Sequence, residues 1–271
     1  MRTKLLFSLL ALVIALGAIG YSVLHGLRSG EQQPSQAATT TIATSTDFYS
    51  IDAAYPQEPR DTAGAMKQYV SQLVAQREAD WKDGSEVWKA EQDIAKQFPD
   101  RPAMQYQMMI TYRTEHAPAL DIVSYIFEHY EFTGGAHGGT DLATFAFGPH
   151  GPLAIDQIID FDHGNDIALT RLLATKLAAS LGEYANAGMM HDGLGLAYLR
   201  ADDTFDAAAC GCDGFFFPSN FQHFYITDTG ITFIMGQYQV APYVAGLPEA
   251  SFTWAELAPY LLPGSGLPGA K

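Results

Sequence analysis

Basic residues are scarce in this chain. Its 271 residues include 15 Lys and Arg against 30 Asp and Glu, so the formal net charge is −15. Recognition of nucleic-acid phosphates needs clustered Lys and Arg, and the composition therefore argues against a nucleic-acid partner. Charged residues make up only 17% of the chain and hydrophobic residues 48%, which is too apolar for a disordered protein. The composition leaves a globular protein whose natural partners are basic proteins, cations or neutral sugars.

Recognisable catalytic and metal-binding motifs are also missing. The chain has no Gly-x-Ser-x-Gly nucleophile elbow and no His-x-x-x-His metal motif. An acidic segment offers oxygen ligands, but counted from Asp160 its Gly164 falls fifth and Arg171 stands twelfth, where a calcium loop needs Gly sixth and Glu twelfth. The sequence therefore predicts no catalytic residue, no metal and no cofactor. The acidic segment is predicted to form the turn and cap of a helix; its polar residues are Asp156, Asp160, Asp162, His163, Asn165 and Asp166.

The chain has only two cysteines, Cys210 and Cys212. In an oxidising compartment two thiols normally pair, although a bridge across one residue closes a small, strained ring. The spacing predicts a local disulfide between them, with a redox or metal-binding role as the alternative.

The N-terminal segment predicts export. Arg2 and Lys4 precede an apolar stretch that extends from Leu5 to about Leu24, which is long enough to span a bilayer. Ala18-Ile19-Gly20 also suits a signal peptidase, so residues 1–27 are either a signal-anchor helix or a cleaved signal peptide. The expected location is the inner membrane facing the periplasm, or the periplasm or exterior after cleavage. Residues 28–46 are rich in Ser, Thr and Gln and are predicted to form a flexible tether.

Residue periodicity predicts an α+β fold, with a largely antiparallel sheet backed by helices. Helical patterns cover Asp61–Phe98, with a break at Asp83–Ser85 and a new cap at Ser85, and Ile167–Leu181, capped by Asn165 or Asp166. Strand patterns cover Met104–Arg113, Ile122–Phe132 and Thr140–Phe147, and Phe221–Thr227 is predicted to form a hairpin with Ile231–Gln237. A last short helix is predicted over Thr253–Leu262, opened by a capping box of Thr253 and Glu256.

Two segments carry the candidate binding residues. In the first, Gly134, Gly135, Gly138 and Gly139 occupy four of six positions around His137. Such backbone freedom suits either a binding loop or a structural bend between two strands, and His137 either faces a partner or braces the loop.

The second candidate segment is Tyr238–Pro248. The residue before Pro242 is restricted to extended geometry, which predicts a corner here. Tyr238 and Tyr243 either offer flat amphipathic surfaces to a sugar or protein, or pack at the corner with their hydroxyls satisfied.

These two segments, together with Phe221–Phe233 between them, resemble an extracytoplasmic bacterial module over residues 45 to 262. The module occurs in RsiV-type anti-sigma factors, which sense lysozyme, and in the non-catalytic N-terminal part of PdaC-type peptidoglycan deacetylases. The resemblance implies two closely joined subdomains, a PdaC-N-terminal-like one over residues 47–152 and an RsiV-like one over residues 153–262, followed by a tail of residues 263–271.

The resemblance implies binding of a lysozyme-like muramidase or a peptidoglycan fragment. Deacetylase activity is not implied, because the catalytic metal motif is absent, and four residues before the apolar stretch leave no room for a sigma-binding segment. The alternatives are a hydrolase or deacetylase whose site is built from His137, Asp156, His191 and Asp192, and a purely structural envelope protein. The residues predicted to bind are Gly134, Gly135, His137, Gly138, Tyr238 and Tyr243.

Overall fold

Two sheets, each with its own helices, account for most of the ordered structure. A computed structural model of the chain describes residues 38–100 and 104–270. Within these ranges no helix has the length and apolar character needed to cross a bilayer. The predicted signal segment, residues 1–27, lies outside the described residues.

The larger sheet has six strands in sequential order. All neighbours are antiparallel except β2 and β3, which are parallel. Parallel neighbours require a crossover, and helices α1 and α2 provide it. The strands are β1 (Thr39–Ser45), β2 (Tyr49–Pro56), β3 (Tyr106–Ala117), β4 (Ile122–Phe132), β5 (Gly139–Gly148) and β6 (Gly151–Leu153), and the helices are α1 (Ala65–Trp81) and α2 (Glu86–Gln97).

Helix α1 supplies one hydrophobic core. Met66, Val70 and Val74 repeat every four residues and are buried, so they form one stripe along the helix. This stripe packs with buried residues of β2, β3 and β4, including Phe127. Because β3 alternates buried and exposed residues over its first half, only one of its faces contributes to this core.

The smaller sheet has three antiparallel strands around a second core. Helix α3 buries Leu169, Leu173 and Leu177 in this core, and the central strand β8 is buried along its whole length. The strands are β7 (Phe224–Thr227), β8 (Gly230–Ile234) and β9 (Glu249–Thr253), and the helices are α3 (Asn165–Leu181), α4 (Ala187–Gly193), α5 (Ala207–Cys210) and α6 (Trp254–Leu257).

Strand β4 lies between the two cores. Ile122 belongs to the second core and Val123 to the first, and the strand is buried on both faces over residues 122–127. The buried hydroxyl Oγ of Ser124 accepts a 3.1 Å hydrogen bond from the Ile226 backbone N–H of β7. From Ala38 onward the chain forms one compact unit.

The α+β fold class is confirmed, and several predicted elements are found where the sequence placed them. Strand β4 covers the predicted residues Ile122–Phe132, and β7 and β8 form the predicted hairpin with shorter strands. The hydroxyl of Ser85 caps α2 by accepting from the Trp88 N–H at 3.1 Å.

Two predictions are wrong in detail. The flexible tether was predicted over residues 28–46, but Thr39–Ser45 form strand β1, because β-branched residues there pair along their full length with β2. Residues 28–37 lie outside the described residues. Helix α3 is capped by Gly164 rather than by Asn165 or Asp166, because a glycine with φ of 83° takes the left-handed turn that begins the helix.

The last helix is also shorter than predicted. Its capping box is present, since the Thr253 hydroxyl accepts from the Glu256 N–H and the Glu256 carboxylate accepts from the Thr253 N–H. The helix ends at Leu257 rather than Leu262, because Leu261 instead forms a bridge with Ile159 and is buried in the second core.

Candidate binding site

The glycine-rich segment is the connection between β4 and β5, two antiparallel neighbours in the larger sheet. Gly134 and Gly135 have φ of 101° and 98°, a region that strongly favours glycine. Gly138 is buried, and a Cβ atom there would lie 2.3 Å from the Glu131 carbonyl oxygen and 2.5 Å from the Tyr130 ring. The segment is therefore a structural bend that brings its own backbone against the end of β4.

His137 stands on this bend with a defined pattern of hydrogen bonds. Its Nδ1 atom lies 2.9 Å from the Gly138 carbonyl oxygen, which can only accept, so Nδ1 carries the proton. In the neutral ring Nε2 is then an acceptor, and the Tyr238 hydroxyl donates to it across 3.3 Å. One ring is thus bonded both to the loop backbone and to a residue 101 positions away.

Three aromatic rings meet at the surface here, with His137 and Tyr238 exposed and Tyr243 half-buried, and we call these three residues the aromatic platform. The His137 and Tyr243 rings are stacked, with centroids 4.0 Å apart and planes at 27°. Tyr238 lies 5.7 Å from Tyr243 and is 50% exposed. Its φ of 64° is rare for a residue with a side chain, and it places the ring beside His137.

The structure separates the predicted binding residues into two groups. His137, Tyr238 and Tyr243 come together on the surface. Gly134 instead lies against the Met104 side chain, since a Cβ there would be 2.7 Å from its terminal carbon, and Gly138 lies beneath Tyr130. The glycines shape the bend, and the three rings lie together at the surface.

Sequence reasoning missed the residue that holds the two segments together. The Gln237 carboxamide oxygen accepts a 3.0 Å hydrogen bond from the Thr140 N–H at the start of β5. A second glutamine, Gln239, accepts from the Gly236 N–H at 2.9 Å and fixes the same corner. Both flank Tyr238, but glutamine is common on surfaces and gave no local signal of this role.

A cleft of about 340 Å³ adjoins the platform at Thr140 and Gln237. Its other walls include Arg113 on β3 and Glu128 on β4, with Glu249 facing them from β9. The Arg113 guanidinium donates to Glu115 at 2.8 Å and to Glu249, and it lies 4.9 Å above the Tyr225 ring. Burial raises the pKa of the Tyr225 hydroxyl, and the hydrogen bond that it donates to Glu249 raises this pKa further. The cleft therefore offers a polar, charged wall beside an aromatic surface.

The alternative catalytic set is not brought together. Within residues 38–100 and 104–270 no hydrogen bond or ion pair joins any two of His137, Asp156, His191 and Asp192. His191 lines a separate groove of about 500 Å³ with Arg171 and Met190. The described part of the chain also contains no cluster of three or more His, Cys, Asp or Glu suited to a metal ion.

Cys210 and Cys212 are joined by a disulfide at the end of α5. The intervening Gly211 has φ of 67°, which lets the chain turn back within one residue. At the other end of α5, the Asp206 carboxylate caps the helix by accepting hydrogen bonds from the Ala208 and Ala209 N–H groups.

Comparison with known protein families agrees with the resemblance inferred from sequence. Residues 42–140 match the family described as Deacetylase PdaC, and residues 179–255 match a protein family of unknown function, DUF3298. The chain thus carries a PdaC-like region followed by a DUF3298-like region, which confirms the predicted resemblance. No curated protein matches the chain.

Two solved structures that share this fold are proteins of the DUF3298 family. A member from Bacteroides fragilis is 20% identical, with 85% of this chain and 96% of that chain covered and a TM-score of 0.53. A DUF3298 protein from Pseudomonas aeruginosa is 17% identical, with 89% and 100% covered and a TM-score of 0.50. At these identities the likeness shows a shared fold.

Proposed function

We propose that this protein is an exported, membrane-tethered binding protein of the bacterial envelope, and that the aromatic platform binds a glycan fragment of the cell wall. The observation that carries the proposal is the convergence of His137, Tyr238 and Tyr243 on one exposed surface. Sugar rings present apolar faces that pack on aromatic rings, while tyrosine hydroxyls and an imidazole provide hydrogen bonds to sugar hydroxyls.

The platform is held in place before any ligand arrives. Gly138 fits only without a side chain, the Thr140–Gln237 hydrogen bond ties the two segments, and His137 is fixed through both ring nitrogens. Preorganised contacts lose less conformational entropy on binding. The adjoining cleft offers Thr140, Gln237 and charged side chains to the polar groups of a second sugar or its substituents.

Two further observations support an envelope role. The PdaC-like region matches a family described as a deacetylase, and the sequence resembles its non-catalytic part. Arg2, Lys4 and the apolar stretch that follows them favour export with the amino end in the cytoplasm. The proposed location is the inner membrane facing the periplasm, or the periplasm or exterior if the segment is cleaved.

The proposal is tested by calorimetric titration of soluble peptidoglycan fragments into the protein and its variants. Tyr238→Ala and Tyr243→Ala are each expected to weaken binding by about tenfold or more, which is typical of losing a stacked aromatic contact. Tyr184→Ala is the matched control, because Tyr184 is 42% exposed and lies in a different part of the molecule. Equal affinities for wild type and both platform variants would rule out the platform as the site.

His137→Ala separates the two roles of the histidine. If the ring contacts the ligand, binding is lost and the melting temperature is unchanged. If the ring mainly braces the bend, the melting temperature falls together with the affinity, because the contacts to Gly138 and Tyr238 are lost.

A lysozyme-like muramidase is the second candidate ligand, and the net charge of −15 favours it because such a partner is basic. Lysozyme titrated at two salt concentrations distinguishes the candidates, since attraction between exposed charges weakens as salt rises and sugar stacking does not. Heat that continues to evolve with peptidoglycan fragments would indicate turnover and would favour an enzyme instead.

A further inference from the structure

Strand β1 forms one edge of the larger sheet, and its free side can be identified residue by residue. The Gln57 N–H donates to the Ala38 carbonyl and the Thr46 N–H to the Tyr49 carbonyl, both at 2.8 Å. In an antiparallel pair the bonding direction alternates, so every second residue of β1 from Ala38 to Thr46 bonds to β2. The intervening residues direct their N–H and C=O groups away from the sheet: Thr39, Thr41, Ala43 and Ser45.

These outward groups have no hydrogen-bond partner within residues 38–100 and 104–270. Thr39, Thr41, Ala43 and Ser45 are also the exposed residues of the strand. Seven consecutive residues thus present an open ladder, which is the surface to which another strand adds.

The edge lacks the features that normally prevent such pairing. Residues 39–45 contain no charged residue and no proline. The opposite edge of the same sheet is protected, because β6 has only three residues and one is Pro152. In the smaller sheet the edge strand β7 contacts β4 through the Ile226–Ser124 hydrogen bond. Among the edge strands of the described chain, β1 is the longest, and it carries none of these protections.

We propose that β1 pairs antiparallel with β1 of a second copy of this chain, about a twofold axis that passes by Ile42. In this register Thr39 lies opposite Ser45 of the second copy, and Thr41 lies opposite Ala43. The backbone groups of these four residues point outward on each copy. In this register each of their free N–H and C=O groups therefore gains a partner. A twofold axis requires such self-complementarity, and a shift of two residues in either direction leaves groups at both ends unpaired.

The geometry and the charge of the edge both allow this pairing. Helix α1 packs on β2, and the two β2 strands would be three strand spacings apart, about 14 Å. Packed helices need only about 8–10 Å between their axes, so the two α1 helices do not collide.

The charge of the edge also allows the pairing: no like charges meet across the axis, because β1 has no charged residue. Elsewhere two chains of charge −15 repel each other, so the association should become stronger as salt rises.

The first test measures the mass of the full chain in mild detergent by sedimentation equilibrium over a range of protein concentration. Wild type is expected to form dimers. The variant Thr41→Lys/Ala43→Lys places lysines directly opposite each other across the axis, and its dimer should dissociate at a concentration at least about tenfold higher. Thr62→Lys/Ala63→Lys adds the same two charges at exposed positions in the turn before α1 and should behave as wild type.

The second test determines the register by disulfide formation. Ile42 would face its own counterpart in a non-hydrogen-bonded pair, with Cα atoms about 4.5 Å apart, which suits a disulfide. Ile42→Cys should therefore cross-link two chains under mild oxidation. Thr40→Cys should not, because Thr40 would lie opposite Thr44 of the second copy. Within the described residues the native cysteines contribute no free thiol.

Three results would overturn the proposal. The first is a wild-type chain that stays monomeric at every concentration and salt level. The second is a dimer whose mass is unaffected by the edge lysines, since it must then use another surface. The third is cross-linking of Thr40→Cys as fast as that of Ile42→Cys. None of these results bears on the aromatic platform, which stands at the β4–β5 bend, and β4 is three strands away from β1 in the sheet.

Discussion

Single residues with unusual backbone demands maintain the candidate site. Tyr238 adopts φ of 64°, and Gly138 fits where a Cβ atom would meet the Glu131 carbonyl and the Tyr130 ring. Neither position contributes a large apolar area to the core. Their effect is to determine where the rings of His137 and Tyr243 lie, so a small change at either position acts directly on the binding surface.

Gly138→Ala is expected to lower the free energy of unfolding by about 1–3 kcal/mol, because the added methyl group must displace backbone as well as a ring. Gly139→Ala is the matched control, since its Cβ atom would come no closer than 4.0 Å to the Gln237 carboxamide oxygen. Urea unfolding of both variants checks the prediction. Equal midpoints for the two variants would show that the bend can relax without cost.

At the level of elements, helix caps connect distant parts of the chain. The Glu256 carboxylate caps α6 and also receives a 2.8 Å ion pair from Lys176 on α3. The hydrogen bond from Lys176, followed by those from the Thr253 N–H and hydroxyl, lowers the pKa of Glu256 to about 2. One short helix is thus tied to the long helix of the second core.

This pKa predicts how stability depends on pH. Glutamate in the unfolded chain titrates near pH ~4.3, so the contribution of Glu256 is fully present above about pH 5 and is lost as pH falls towards 2. The Glu256 side chain is 38% exposed, so solvent screens its charge. Glu256→Gln is therefore expected to lower the free energy of unfolding by about 1 kcal/mol at pH 7, as the loss of an ordinary helix cap does. Urea unfolding at pH 3 to 7 should show this difference shrinking with acidity. Glu183→Gln, at an exposed position, is the matched control.

Considered as a whole, the molecule has two sheets but one compact unit. Strand β4 contributes to both hydrophobic cores, and Arg113 on β3 bonds to Glu249 on β9. Ser124 is fully buried between the sheets, with its hydroxyl bonded to the Ile226 N–H. Loss of order in one sheet therefore exposes groups of the other, and we expect the two to unfold together.

Ser124→Ala is expected to destabilise both sheets by about 1–3 kcal/mol, because it leaves a buried N–H group without a partner. Trp81 reports on the first core and Trp254 on the second, so fluorescence of variants that lack Trp88 and retain only one of these two follows each core separately. The two midpoints should coincide and fall together in the Ser124→Ala background. Ser50→Ala on β2, whose hydroxyl makes no hydrogen bond within the described residues, is the control. Separate transitions would show that the two sheets are independent.

Much of the fold was predictable because it depends on local chemistry. Several predicted features involve only residues that are close together in the sequence. They are the four-residue repeat of α1, the Ser85 cap, the run of β-formers in β4 and the Thr253–Glu256 capping box. Strand β1 was not predictable in this way. Its Thr-rich sequence suits a tether as well as a strand, and only the register with β2 decides between them.

The sequence alone determined the candidate residues of the site, since His137 among glycines and two tyrosines around Pro242 are unusual enough to be selected without a structure. It did not determine that they meet. Their contact depends on the β4–β5 bend, on the Thr140–Gln237 hydrogen bond and on the positive φ of Tyr238, which join segments about a hundred positions apart. Residue type and local spacing set the propensity of each segment. Only tertiary packing sets the distance between segments, because that distance results from contacts along the whole chain that no local pattern encodes.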